Sequence, residues 1–307
     1  MIHHKIVNPY NPRTPATPPK FVGRSGMLRR LRAAIEAERS VSIVGDSLVG
    51  KTSLLLSLLE SQKTVSQEVR LLSGRNEEGE SPQTLVEKIT GLSTTGAGAD
   101  EAADCFERWL QEIQSEKKPP LILIDCFDRM VVQFEFRFFE RLRGMLDRII
   151  LVVASRQELD LLYENLAITS PFTNRLELQW LGLLEPEAAD ELVSWGSKLF
   201  DQDDVRLIHE WAGRHPFYLQ LLGNILFETR ANGESLDGAL TRFRIESQEP
   251  ISEVWKNLSE RDKDSLRMTL TGQENHRLSL RTRGLTDSGK PFGRVLSEWI
   301  HEADLSR

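Results

Sequence analysis

Cysteine is scarce: Cys105 and Cys126 are the only two in 307 residues. They are too few and too far apart for a disulfide framework or a thiolate zinc cluster, as expected of a reducing compartment. Long hydrophobic runs are also missing. No stretch approaches the roughly 18 apolar residues that a membrane span needs. The opening Met1-Ile2-His3-His4-Lys5 lacks the apolar core of a signal peptide, so the expectation is a cytoplasmic chain with no membrane partner. An excess of positive charge is absent too. The formal net charge is -7, so the overall field does not draw nucleic acid and any such binding must come from a local basic patch. There is no internal repeat. What is present is ordinary for a globular protein, 39% hydrophobic and 28% charged residues. That balance excludes collagen-like and wholly disordered chains, and the length suits about two average domains.

Pro9, Pro12, Pro15, Pro18 and Pro19 fall in the first twenty residues and forbid a helix there, so residues 1–20 read as an extended arm. Apolar positions at helical spacing predict a helix over 26–37. Val41-Ser42-Ile43-Val44 then reads as a buried strand running into Gly45, with a Leu-rich helix over 51–59. The alternation continues with strands near 68–72, 121–124, 149–153 and 176–180 and helices near 82–92, 101–113 and 134–146. Strands alternating with helices argue for an α/β fold with a parallel sheet covered on both faces. The small residues of 93–99 read as a surface loop. From about residue 185 the strand signals stop and four helical segments follow. Pro250 is expected to open a last segment with helices over 252–258 and 260–270, a polar hairpin-like stretch and a closing helix over 295–301. A winged helix fits this pattern, and a small helical bundle is the alternative.

Gly45-Asp46-Ser47-Leu48-Val49-Gly50-Lys51-Thr52 matches the phosphate-loop pattern of glycine, four residues, Gly-Lys-Ser/Thr. Its context is a strand before and a helix after, which is what the chemistry needs. The glycines let successive backbone N–H groups turn inward around phosphate oxygens, and the helix start adds its positive end. Lys51 would contact the β- and γ-phosphates and the Thr52 hydroxyl would ligate Mg²⁺. A carboxylate for the same ion is expected at the end of a buried strand next to the first. Leu121-Ile122-Leu123-Ile124-Asp125 supplies it, making Asp125 the second Mg²⁺ residue. In hydrolysing enzymes of this kind a glutamate commonly follows that aspartate, whereas here the next residue is Cys126, whose thiol is a poor base. Asp128 is a candidate catalytic base or a helix cap, and both readings stay open. Ser155-Arg156 follows the strand at 149–153, so Arg156 projects from the same sheet edge as a candidate γ-phosphate sensor or a plain surface residue.

Asn8-Pro9-Tyr10, Phe21-Val22-Gly23-Arg24, the phosphate loop continuing through Ser53, Asp125-Cys126-Phe127-Asp128, Ala154-Ser155-Arg156, Ser170-Pro171-Phe172 and Gly213-Arg214-His215-Pro216-Phe217 fall in one order. That order resembles the STAND class of P-loop NTPases, relatives of AAA+ ATPases. The resemblance implies a nucleotide-dependent switch: a P-loop core over 21–183, a helical lid over 184–248 and a winged helix over 249–307, closing around ATP or ADP with Mg²⁺. It places Phe21, Val22, Gly23 and Arg24 beside the base with Pro216 of the lid. Gly45, Ser47, Val49, Gly50, Lys51, Thr52 and Ser53 hold the phosphates, and Arg214 or His215 approaches them. Members typically carry Asp-Glu-Phe-Asp where this chain has Asp125-Cys126-Phe127-Asp128, so binding with slow or absent hydrolysis is the expectation. No effector or sensor array follows within the 307 residues, so the effector is expected to be a separate protein, with homo-oligomerisation in keeping with the class.

Other features have plainer readings. His3 and His4, in a Pro-rich arm without nearby acids or thiols, read as unstructured, and Trp180, Trp195 and Trp211 read as core. Residues 277–294 hold Arg277, Arg281, Arg283, Lys290 and Arg294 against the single acid Asp287. In a winged helix that cluster makes DNA contact an alternative function, as in an AAA+-like replication initiator. An active oligomeric ATPase is the third. No Asn-Lys-x-Asp guanine box occurs, which leans towards adenine.

Overall fold

The apolar runs read as strands come together in the computed structural model, which describes residues 7–62, 68–94, 98–113, 118–166 and 173–305. His3, His4 and the Ser170-Pro171-Phe172 box lie outside those residues. The chain divides into two compact units.

One unit, residues 25–45 and 51–180, is the α/β part. Its elements in chain order are α1 (Ser25–Glu36), β1 (Val41–Val44), α2 (Lys51–Gln62), β2 (Val69–Ser73), α3 (Pro82–Thr90), α4 (Ala99–Ile113) and β3 (Leu121–Asp125). After these come α5 (Phe127–Gln133), α6 (Phe136–Met145), β4 (Ile150–Ser155), α7 (Leu159–Asn165) and β5 (Glu177–Trp180). The strands form one sheet in the order β2-β3-β4-β1-β5, every pair parallel. All residues of β1, β3 and β4 are buried, which is why they read as unbroken apolar runs rather than as alternation. Ile122, Ile124, Leu151 and Val153 face a core filled by Phe106, Trp109, Phe127, Phe138 and Phe139 from α4, α5 and α6. Leu54, Leu55 and Leu58 of α2 are wholly buried as well. Edge strand β5 is less covered, and Trp180 on it is only half-buried, so it is not the core residue expected. Helices α5 and α7 were not anticipated. Local chemistry sets the ends of α3, where Ser81 and Thr84 form a reciprocal capping box, Pro82 takes the first helical position and Gly91 closes the helix with φ 74°.

The expectation that the Mg²⁺ carboxylate sits on a strand beside β1 needs correction. β4 lies between β1 and β3, because the chain returns through α5 and α6 to insert its fourth strand in the middle.

The second unit, residues 1–24, 46–50 and 181–307, is mostly helical. It contains α8 (Pro186–Ser194), α9 (Gln202–Ala212), α10 (Pro216–Asn232), α11 (Leu236–Lys256), α12 (Glu260–Leu270), α13 (Leu278–Thr282), the short hairpin β6 (Thr286–Asp287) and β7 (Lys290–Pro291), and α14 (Arg294–Leu305). Helix α10 packs against α8, α9 and α11, and α14 packs against α9, α11 and α12. Trp211 is buried here, with the guanidinium groups of Arg244 and Arg294 at 4.5 and 4.6 Å from its ring. The helix break expected at Pro250 does not occur, and α11 runs through it. A proline inside a helix costs about 3 kcal/mol. Burial of Ile251 and Trp255 along one face of α11 offsets it.

Over residues 7–20 the Pro-rich arm forms no helix or strand, turns at 12–13 and 18–19, and is anchored. Asn8 Nδ2 donates to Asn224 Oδ1 at 3.0 Å, and the Tyr10 hydroxyl donates to the Val193 carbonyl at 2.8 Å. The Tyr10 ring stacks on Phe200 at 6.0 Å. Gly223 of α10 makes room for it, since a Cβ there would lie 2.6 Å from the Tyr10 ring.

Candidate functional site

The parallel register aligns the C-terminal ends of four strands, pairing Val44 with Ser155 and Ser73 with Asp125. The motif residues therefore emerge at one sheet edge, where open α/β sheets bind ligands. Gly45 extends the β1–β4 pairing by donating its N–H to the Ser155 carbonyl at 3.2 Å. Lys51 opens α2, is 9% exposed and donates from Nζ to the Gly45 carbonyl at 2.7 Å.

The next residue, Thr52, donates its hydroxyl to Asp125 Oδ2 at 2.6 Å. The other carboxylate oxygen, Oδ1, accepts from the backbone N–H of Cys126 at 3.0 Å. A hydroxyl and a carboxylate in contact fit Mg²⁺, which takes one or two protein oxygens and completes its shell with water and phosphate. Among the described residues there is no cluster of three or more His, Cys, Asp and Glu suited to a metal, so an all-protein cage of the zinc or calcium kind finds no residues there.

Cys126 follows with φ 53°, in the left-handed region. Burial, reinforced by the Asp125 carboxylate, pushes its thiol up from the ordinary value, so at neutral pH it is a neutral SH. Asp128, buried in the first turn of α5, accepts from Arg156 Nε at 2.9 Å. The two residues singled out separately as base and sensor thus meet as an ion pair.

Loop residues 46–50 belong to the helical unit. Leu48 and Gly50 have φ 64° and 100°, the left-handed turns that let backbone N–H groups converge in an anion nest. Arg24, 6% exposed, donates to the carbonyls of Val49 at 3.1 Å, Gly182 at 2.6 Å and Leu183 at 2.7 Å. Its own N–H donates to Glu185 Oε2 at 3.1 Å. Burial lowers the guanidinium to about 10, while Glu185 acts in the opposite sense. Gly23 before it has φ 66°, and a Cβ there would lie 2.5 Å from the Ala188 Cβ, so only glycine fits. Phe21 and Val22 are half-buried.

Pro216 starts α10, preceded by His215. His215 packs on the rings of Tyr218 and Phe292 at 4.7 and 5.1 Å. Burial, then the charge of Arg24, drives its imidazole down to about 3, so it is neutral. Arg214 is engaged in a bidentate pair with Asp287 at 2.8 and 2.7 Å and donates to the Leu184 carbonyl at 2.6 Å. In this arrangement neither presents the free positive charge expected near phosphates.

Sequence reasoning missed Arg283, which pairs with loop residue Asp46 through Nε–Oδ2 at 2.9 Å and Nη2–Oδ1 at 2.6 Å. The one available signal was an acid inside a phosphate loop, a charge that needs a cation when buried.

A family model described as an AAA domain matches residues 33–162. A Walker-type ATPase of Pyrococcus abyssi superposes with TM-score 0.64 at 16% identity, over 94% of this chain and 98% of that one. The fold is that of an AAA+-type P-loop NTPase. The ORC2 protein of Aeropyrum pernix, solved as ADPNP-ADP complexes, gives TM-score 0.57 at 16% identity over 95% of this chain and 97% of that one. The ORC1 protein of the same organism, solved in complex with DNA, gives 0.54 at 17% identity over 93% and 84%. No curated protein matches in sequence. No helix among the described residues is long and apolar enough to cross a membrane.

Proposed function

We propose that this chain is an ATP-binding switch of the STAND type, which changes conformation or assembly with nucleotide state and regulates a separate effector while hydrolysing slowly or not at all. The observation that supports the reading is the set of contacts at the phosphate-loop motif, Lys51 with the Gly45 carbonyl and Thr52 with Asp125, followed directly after Asp125 by a half-buried thiol.

In this reading the N–H groups of Gly45, Ser47, Val49, Gly50 and Ser53 cradle the phosphates and Lys51 neutralises the β- and γ-oxygens. Mg²⁺ would supply charge neutralisation across the phosphates, held by Thr52 and, through water, by Asp125. Phe21 to Arg24 and Pro216 border the adenine. Residues 184–248 are read as the lid and 249–307 as the winged helix, with the continuous α11 spanning their boundary. With Asp128 engaged by Arg156, orientation of an attacking water falls to no ready carboxylate.

The test is to incubate the purified protein with Mg²⁺ and ATP, remove free nucleotide and chromatograph what stays bound, beside a Cys126→Glu variant. Retained ATP in the wild type and ADP in the variant support a latching switch. ADP from the wild type moves an active, oligomeric ATPase to first place. A native-host pull-down without a stoichiometric partner counts against the separate effector.

A second reading, DNA binding through the winged helix, is favoured by the fold similarity to a protein solved on DNA. Three of the five basic residues proposed for it are engaged within the protein: Arg277 with Asp262, Arg283 with Asp46, and Arg294 with Glu210 and Glu298. Arg281 and Lys290 are exposed, and two cations make a small phosphate footprint. Salt-dependent duplex affinity lost on changing both to Ala would restore this reading.

A further inference from the structure

Asp46 places a carboxylate on the first residue after Gly45, inside a loop read as a cradle for polyphosphate. It is 5% exposed, so water does little to screen it. A bare negative charge there opposes the ligand, because it lies well within the roughly 10 Å over which exposed charges interact at ordinary ionic strength, and burial extends that reach. The structure pairs it with Arg283, 237 residues later in the chain, through two parallel N–H···O bonds at 2.9 and 2.6 Å. The fork geometry fixes the carboxylate's direction as well as cancelling its charge.

Arg283 is itself placed by close backbone packing. It ends α13. A Cβ on Gly182 would lie 3.0 Å from the Thr282 carbonyl, and one on Gly284 would lie 3.0 Å from the Leu183 nitrogen. The 182–183 segment that seats Arg283 is the one that Arg24 joins to the Val49 carbonyl. The loop is therefore held at both ends from one strip of backbone, Asp46 through Arg283 and Val49 through Arg24.

Resting on the nucleotide-binding reading above, we propose that Arg283 is the charge-compensating and positioning residue of the phosphate loop. By neutralising Asp46 it makes an acid-bearing loop competent for a nucleoside polyphosphate, so affinity for phosphate depends on where the C-terminal segment is seated. The role is electrostatic and loop-specific, which separates it from a merely structural ion pair.

The test is titration of ATP and of adenosine, each with Mg²⁺, into wild type, Arg283→Ala, Asp46→Asn and the Arg283→Ala/Asp46→Asn double variant. Removing one partner of a buried charge pair takes away most of the other's charge compensation. Arg283→Ala is therefore expected to weaken ATP about tenfold or more and adenosine little. In the double variant, which removes the offending carboxylate, ATP affinity should return most of the way towards wild type. Asp46→Asn alone should bind ATP more tightly than Arg283→Ala, which keeps the proposal testable if Arg283→Ala folds poorly. A double variant as weak as Arg283→Ala, an equal loss for adenosine, or Asp46→Asn as weak as Arg283→Ala overturns the proposal. Failure of the wild type itself to bind ATP or ADP removes the nucleotide reading, a result visible before any variant is compared.

Discussion

Thr52 reaches Asp125 at 2.6 Å although β4 separates the strands that carry them into place. The first turn of α2 and the end of β3 therefore meet, and in the proposed reading they share one Mg²⁺. Thr52→Ala and Asp125→Asn should each erase the gain in ATP affinity that Mg²⁺ confers, with binding in EDTA little changed. Lys51→Ala should weaken ATP roughly 100-fold in either condition, the scale of losing one buried charge-assisted contact. Titration with and without Mg²⁺ checks both, and wild-type affinity in Lys51→Ala would sink the phosphate-loop assignment.

Cys126 gives a prediction independent of nucleotide. Its thiol is raised above the ordinary value, burial first and Asp125 second, so at any given pH less of it is thiolate, the reactive form, than in a free cysteine. Iodoacetamide labelling of Cys126, followed by peptide mass spectrometry, should be slow at pH 7.5 and should rise at higher pH than for a cysteine in a short peptide. Labelling as fast as the peptide at pH 7.5 would refute the shielding. Asp125→Asn, which removes the nearby carboxylate, should move the labelling curve to lower pH.

The strand, loop and helix around Lys51 were legible because every signal lies within residues 41–59: an apolar run, two glycines and a Leu-rich periodic segment. Asp125 was legible as a residue but not by position, because strand order is a non-local property of crossovers and no local pattern inserts β4 between β1 and β3. The Asp46–Arg283 pair was invisible for the same reason, being 237 residues apart. Pro250 misled because the local rule against proline in helices was overridden by the buried face that Ile251 and Trp255 share with Ser247. In the arm, the prolines announced extended backbone, while nothing local announced that Tyr10 would be buried at 4% exposure.

That burial makes the arm a structural part of the helical unit. Tyr10→Ala would leave a void among Trp195, Phe200 and Phe227 and remove the hydroxyl's hydrogen bond to the Val193 carbonyl. A loss of about 3–5 kcal/mol is expected, as for other large-to-Ala core changes. Tyr10→Phe, which removes only the hydroxyl, should cost about 1–2 kcal/mol. Denaturant titration of the three proteins decides, and an unchanged midpoint for Tyr10→Ala would mean that the arm is not docked in solution.

His215 sets an acid limit on the same unit. Its imidazole is driven down to about 3 by burial and by the charge of Arg24, whereas in the unfolded chain it titrates near 6.5. The unfolded state therefore binds a proton that the folded state refuses. The stability this histidine contributes is intact above about pH 6.5 and is lost as pH falls through the window from about 6.5 towards about 3. Within that window a single such group removes about 1.4 kcal/mol per pH unit. Its Nδ1 has no hydrogen-bond partner, and its ring packs against those of both Tyr218 and Phe292, so His215→Phe fits the surroundings and cannot be protonated. Unfolding free energies measured at pH 7, 6 and 5 should fall less steeply in His215→Phe than in the wild type. Parallel curves would show that His215 takes up its proton in the folded state and is not sealed from water.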